Sequence, residues 1–171
     1  QSAKIDEPNT KQDARFATKL IHFGGEIDAH TGASSVPLYQ ASTFHHHDLE
    51  NPPQHDYTRS GNPTREVLEN YIAKLENGAR GLAFSSGMSA ISSAFMMLSS
   101  GDHIIATEDV YGGTYRVLTS ILSRMNIETT FVDMTDLDAV KAALRPNTKC
   151  VYMETPSNPT LKITDIGAVA A

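Results

Sequence analysis

Apolar residues fall into two regimes along the chain, and the change comes at Pro63. Through residues 16–62 no helical or strand period is sustained, and Gly, Pro and His are scattered between apolar positions, which predicts an extended, loop-rich arm. From Pro63 the pattern tightens. Val67, Leu68, Tyr71, Ile72 and Leu75 recur at helical spacing, with Asn62 as N-cap, Pro63 in the first turn and Gly78 as the stop. Leu82-Ala83-Phe84 then reads as a short buried strand and Ser85-Ser86-Gly87 as a turn. Residues 88–99 form a predicted helix with Met88, Ile91, Phe95 and Leu98 inward, ended by Gly101. Ile104-Ile105-Ala106 is the next strand, and residues 115–124 a helix facing inward through Leu118, Ile121 and Leu122. A strand at 129–132, a helix at 137–144 stopped by Pro146, and a strand at 150–153 complete the alternation. Residues 164–171 read as the start of one more helix without C-cap or following strand, so the chain is expected to stop in mid-fold.

Strands and helices in alternation, with short connections, predict an α/β fold built on a parallel sheet flanked by helices. Two regions follow: residues 1–62 as an arm and 63–171 as the α/β domain, with 1–15 polar and expected to be mobile.

Composition narrows the function classes. The 171 residues are 40% hydrophobic, enough for a core, and carry a net charge of −6 without a basic cluster. That argues against nucleic acid or an anionic membrane as partner. No apolar run approaches the ~18 residues of a membrane span, and no stretch resembles a signal peptide. The single cysteine, Cys150, cannot form an internal disulfide, and a reducing, cytoplasmic setting is expected. His45-His46-His47 lacks spaced partners for a metal and reads as a solvated or interface stretch. P-loop, dinucleotide and nucleophile-elbow motifs are all missing from the sequence.

Ligands of open parallel sheets bind beyond the carboxyl ends of the strands, so the loops there are the candidates. Ser85-Ser86-Gly87-Met88-Ser89 leads from a strand into a helix whose first N–H groups could meet a phosphate; an ordinary Ser-capped turn fits equally. Glu108 to Arg116, "EDVYGGTYR", sets two glycines beside Tyr111, suggesting a flat ligand on that ring or simply a half-buried surface tyrosine. Glu154 to Thr160, "ETPSNPT", ends a strand with a carboxylate and an amide in a proline-stiffened loop, and a plain turn remains open. In "YTRSGNPT", Arg59 could pair with a phosphate and Tyr57 add a hydroxyl, or Arg59 could be a surface arginine.

"YTRSGNPT", "AFSSGMSA", "VYGGTYR" and "ETPSNPT" together, in this order, resemble the transsulfuration enzymes, the pyridoxal-phosphate (PLP) proteins of cysteine and methionine metabolism. That family includes cystathionine γ-lyase, β-lyase and γ-synthase and methionine γ-lyase, and the resemblance runs from about Ala17 to the last residue. It implies the N-terminal part of an aspartate-aminotransferase-like, type I fold. It implies PLP as cofactor, a small sulfur amino acid as substrate, and a homodimer with shared active sites, assembled into a homotetramer. By the same resemblance, Tyr57 and Arg59 reach the neighbouring subunit's cofactor phosphate, which Gly87 and Met88 meet with backbone N–H groups. Tyr111 stacks on the pyridine ring and takes part in catalysis and substrate binding. Asn158 meets the ring's phenolic oxygen, and Arg116 lines the substrate side. The family's Schiff-base lysine and its pyridine-pairing aspartate are expected beyond residue 171, since none of the lysines here lies in a matching motif. Gly113 stands where methionine γ-lyases commonly carry cysteine. The implied function is β/γ-elimination on cystathionine or a related sulfur amino acid. The alternatives are γ-replacement, as in cystathionine γ-synthase, a non-catalytic fragment, or a plain phosphate-binding module.

Overall fold

The computed structural model describes residues 15–22, 27–46, 48 and 50–171. The reading of residues 1–14 as an arm, and His47 of the histidine run, lie outside the described residues. The chain divides into two units, Gln1–Ala83 and Phe84–Ala171.

In the first unit the expected arm contains a helix, α1 (Phe16–His22), ahead of α2 (Pro63–Leu75). Asn62 caps α2 as expected: its side-chain oxygen accepts from the Thr64 N–H at 2.9 Å, while its amide donates to Thr58 Oγ1 at 2.7 Å and to the Tyr39 carbonyl at 3.1 Å. The stop differs from expectation. Asn77, at φ 52°, takes the left-handed position, and the Gly78 N–H returns to the Ala73 carbonyl at 2.8 Å. Asparagine tolerates that conformation better than most residues, so the glycine is displaced by one place. The anticipated inner face of α2 is only partly covered, with Leu68 51% and Ile72 46% exposed.

Leu82-Ala83-Phe84 is neither a strand nor buried, with Leu82 and Phe84 both exposed. A strand exists through its ladder, and none of the described strands pairs with these residues.

The second unit holds three parallel strands, β1 (His103–Thr107), β2 (Glu128–Val132) and β3 (Thr148–Tyr152), in the order β2-β1-β3. Central β1 is buried throughout, as a strand covered on both faces must be. Ile104 and Ala106 pack with Phe95, Leu118, Leu122 and Ile127 on one face, under α3 (Gly87–Phe95) and the helical stretch that starts with α4 (Gly112–Arg116). Ile105 points the other way, to Met134 and Val140, under α5 (Leu137–Ala143) and α6 (Ile166–Ala170). Helices on both faces of a parallel sheet are the α/β architecture the alternation predicts.

Two helices depart from their expected form. Helix α3 ends at Phe95, short of Ser99, and leaves Met96 and Met97 exposed. The helix expected from Tyr115 begins instead at Gly112, and past Arg116 it widens into a π turn at Val117–Ile121 and tightens into a 3₁₀ turn at Leu122–Met125. The change of pitch keeps Leu118 and Leu122 in the core but swings Ile121 out to 49% exposure, against its expected inward place. Among the described residues no helix is long and apolar enough to cross a membrane, and no group of three or more His, Cys, Asp or Glu could hold a metal.

Candidate functional site at the carboxyl ends of the strands

The strand order creates the site. The chain leaves β1 for β2 on one side, then crosses back over β1 to place β3 on the other. Connections that depart in opposite directions leave a crevice beyond the carboxyl ends of β1 and β3, where open α/β sheets bind ligands. Three of the four candidate loops belong to this end of the second unit.

Ser86 caps α3, its Oγ accepting from the Ser89 N–H at 3.1 Å. The N–H groups of Gly87 and Met88 meet no acceptor among the described residues, as the first turn of a helix dictates. A Cβ built on Gly87 would meet no protein atom within 4 Å, and no left-handed φ requires glycine there. Bare space in front of two free donors on a nine-residue helix suits an anion such as a phosphate.

Met88 also touches the second loop. The Thr114 hydroxyl lies 3.9 Å from Met88 Sδ, and a Cβ at Gly113 would stand 2.9 Å from that sulfur and 2.5 Å from Tyr111 Cε1. Gly113 is thus required by the ring of Tyr111 and the thioether packed against it, whereas Gly112 borders open space. The paired glycines sit inside the first turn of α4 rather than in a free loop. Tyr111, 47% exposed, offers its ring to solvent.

Glu154, just past β3, joins the second loop to the third. Its Oε2 accepts from the Tyr111 N–H at 3.0 Å, and its Oε1 accepts from the hydroxyls of Tyr152 at 3.0 Å and Thr114 at 3.5 Å. Burial, with the Glu154 carboxylate beside it, pushes the Tyr152 phenol up to about 12, so it stays a donor. The loop that follows is pinned by Asp109, which accepts from Ser157 Oγ at 2.5 Å, from the Thr160 N–H at 3.0 Å and from the Thr160 hydroxyl. Those donors hold the Asp109 carboxyl below its ordinary range. Lys162 spans Glu108 at 2.9 Å and Asp133 at 2.7 Å, tying the ends of β1 and β2 to the same loop. Its hydrogen bond draws Asp133 down to about 2, and the two carboxylates raise Lys162 in turn.

Met88, Tyr111 and Glu154 are thereby brought together. Asn158 is exposed between the cis peptide bonds preceding Pro156 and Pro159, and Arg116 is exposed at the end of α4. Among the described residues no hydrogen bond or ion pair joins either to the other candidates. Tyr57 and Arg59 belong to the first unit. There Tyr57 bridges antiparallel to Thr43, and the Arg65 guanidinium donates to the Thr58, Arg59 and Ser60 carbonyls at 3.1–3.5 Å. The Arg59 guanidinium lies 5.2 Å from the Tyr57 ring centroid, exposed and without a carboxylate among the described residues. An aromatic and an unpaired cation are thus held on a fixed turn. Of the residues that build the crevice, Glu154 is visible in sequence only as a carboxylate at a strand's end. Gly113 is visible as one of a glycine pair and as the place where methionine γ-lyases commonly carry cysteine, not for its contact with the Tyr111 ring.

Free donors at a glycine, a half-exposed tyrosine ring and polar loop ends at a switch point are features of an α/β crevice that suit a flat, phosphorylated ligand. The Cys/Met metabolism PLP-dependent enzyme family matches residues 17–171, and the chain belongs to that family. It is 58% identical over 160 residues to the cystathionine β-lyase MetC of Bacillus subtilis, covering 94% of this chain and 41% of that protein. With the cystathionine γ-lyase of the same organism it shares 51% over 153 residues, covering 90% and 40%. The crystal structure of cystathionine γ-lyase from Lactobacillus plantarum complexed with L-serine superposes with a TM-score of 0.86 at 51% identity, covering 92% of this chain and 41% of that one. The chain therefore spans about two fifths of the length of these relatives.

Proposed function

We propose that the whole protein carrying this chain is a PLP-dependent carbon–sulfur lyase that eliminates a thiol from cystathionine or a related sulfur amino acid. The observation that carries the reading is the crevice itself, with the free N–H groups of Gly87 and Met88 and the ring of Tyr111 on loops joined through Met88 and Glu154. The similarity to proteins named cystathionine β-lyase and γ-lyase supports the substrate class.

When bound, PLP supplies an electron sink that eases loss of the α-proton and then of the sulfur substituent. The chain's own residues then have separable tasks. Gly87 and Met88 N–H groups, with Tyr57 and Arg59 supplied by a neighbouring subunit, hold the phosphate. Tyr111 packs on the ring, and its Oη hands a proton to the departing thiolate. Asn158 donates to the ring's phenolic oxygen, and the exposed Arg116 pairs with the substrate on the open side. Residues 1–62 serve as the arm that reaches the neighbour, and 63–171 as the first part of the cofactor domain. We place the assembly in the cytoplasm as a homotetramer of such dimers.

The test is to incubate the purified whole protein with PLP and L-cystathionine and to identify the oxo acid released. Pyruvate with homocysteine marks β-elimination, and 2-oxobutanoate with cysteine marks γ-elimination. Cystathionine formed from an activated homoserine and cysteine, with neither oxo acid, would replace this reading by γ-replacement.

A further inference from the structure

We infer that Glu154 is a positioning residue that sets where the Tyr111 ring stands, a role that rests on the functional reading above. Tyr111 is the N-cap of α4, and its side chain makes no capping hydrogen bond to hold it there. Gly113 and Met88 wall its ring on one side without gripping it, and the ring remains 47% exposed. What fixes the residue is its backbone N–H, held 3.0 Å from Glu154 Oε2 across 43 positions of sequence. Glu154 is itself held: Oε1 takes the Tyr152 and Thr114 hydroxyls, and Tyr152 stands edge-on to the buried Phe95 with centroids 5.3 Å apart. The carboxylate is half-buried and carries no basic partner among the described residues, so its three donors are what keep it in place. A rigid strand end thus passes its position to the first turn of a helix. The ring that must lie against a flat ligand follows from that turn.

The chemistry distinguishes reach from charge. In Glu154→Gln the amide oxygen can still accept from the Tyr111 N–H, while its NH₂ donates to the Tyr152 and Thr114 oxygens, which can accept. In Glu154→Asp the charge stays but the reach shortens by one methylene. In Glu154→Ala all three contacts are lost.

The experiment uses the whole protein and two readouts, amide exchange at Tyr111 by mass spectrometry and the induced circular dichroism of added PLP. Glu154→Ala and Glu154→Asp should speed Tyr111 exchange by about 5-fold or more, as loss of a hydrogen bond of about 1 kcal/mol implies, and weaken the dichroic band; Glu154→Gln, which keeps the acceptor in reach, should stay clearly closer to wild type in both. Should the alanine variant fail to fold, the order of the other two decides. Aspartate behaving as wild type while glutamine does not would overturn the inference, as would unchanged exchange and dichroism in every folded variant. A wild type that shows no dichroic band with PLP would count against the functional reading, with the exchange arm still judging Glu154.

Discussion

The two ends of the same three-stranded sheet are built on opposite rules. At the amino ends, His103 is fully buried and both ring nitrogens are engaged, with Thr148 Oγ1 and Thr130 Oγ1 each at 2.8 Å. Arg145 closes that network from outside, donating its N–H to Thr148 Oγ1 at 2.8 Å, one Nη to Thr130 Oγ1 at 3.1 Å and the other to Glu128 at 2.5 Å. Each threonine hydroxyl accepts from Arg145 and still has its own hydrogen and a second lone pair to offer, so a neutral ring is satisfied at both nitrogens in either tautomer. At the carboxyl ends the ties are more numerous, yet they leave Gly87 and the ring of Tyr111 facing open space. Satisfied polar groups mark the end that holds the fold. Donors left free on a braced frame mark the end proposed to meet a ligand.

Breaking the closed end should cost the most stability. His103→Ala empties a buried volume and strands two threonine hydroxyls, and we expect a loss of ~3 kcal/mol in urea unfolding with unchanged affinity for PLP. Gly113→Val attacks the open end by overpacking against Tyr111 and Met88. It should cost ~1–3 kcal/mol in the same assay and, unlike the histidine variant, also weaken PLP binding. Arg59→Ala removes one charged contact of the proposed phosphate site. It should weaken PLP binding by ~1.5–3 kcal/mol in a fluorescence titration while leaving the urea midpoint in place.

The pH dependence sharpens the contrast further. Burial first, and then the Arg145 charge, depress His103 below its ordinary 6.5, so the unfolded chain takes up its proton more readily. The stability His103 contributes is present above that value and is lost as pH falls below it. Replacing His103 with Gln should flatten the stability profile just below pH 6.5. The smallest effect belongs to Lys162→Met. Asp133, held at about 2 against an ordinary 3.8, contributes stability present above 3.8 and lost as pH falls toward 2. The variant should shrink that acid limb to the part the Thr135 hydrogen bonds supply, and change stability at neutral pH only slightly, because the pair is largely exposed to solvent.

Residues 103–107, 128–132 and 148–152 could be found as strands because short apolar runs alternate with helical periods. Leu82-Ala83-Phe84 carries the same signal, but pairing is not written in a strand's own residues. Ile121 shows a second limit: a 3.6-residue period places it inward, and a π turn moves it out. Asn77 shows a third, since the usual preference for glycine pointed one residue too far. At the site, the motif loops were legible because glycines, a tyrosine and paired prolines mark strand ends. The tie from Tyr111 to Glu154 was not, because a hydrogen bond across 43 residues follows from strand order. Gly113 could be seen, but its reason lies in the Met88 sulfur and the Tyr111 ring meeting around it.

The most direct test of the open end is a crystal structure of the whole protein with PLP bound. Phosphate oxygens within hydrogen-bond distance of the Gly87 and Met88 nitrogens, with the Tyr111 ring against the pyridine, is the result expected. A phosphate seated elsewhere, with those two N–H groups still free, would contradict it.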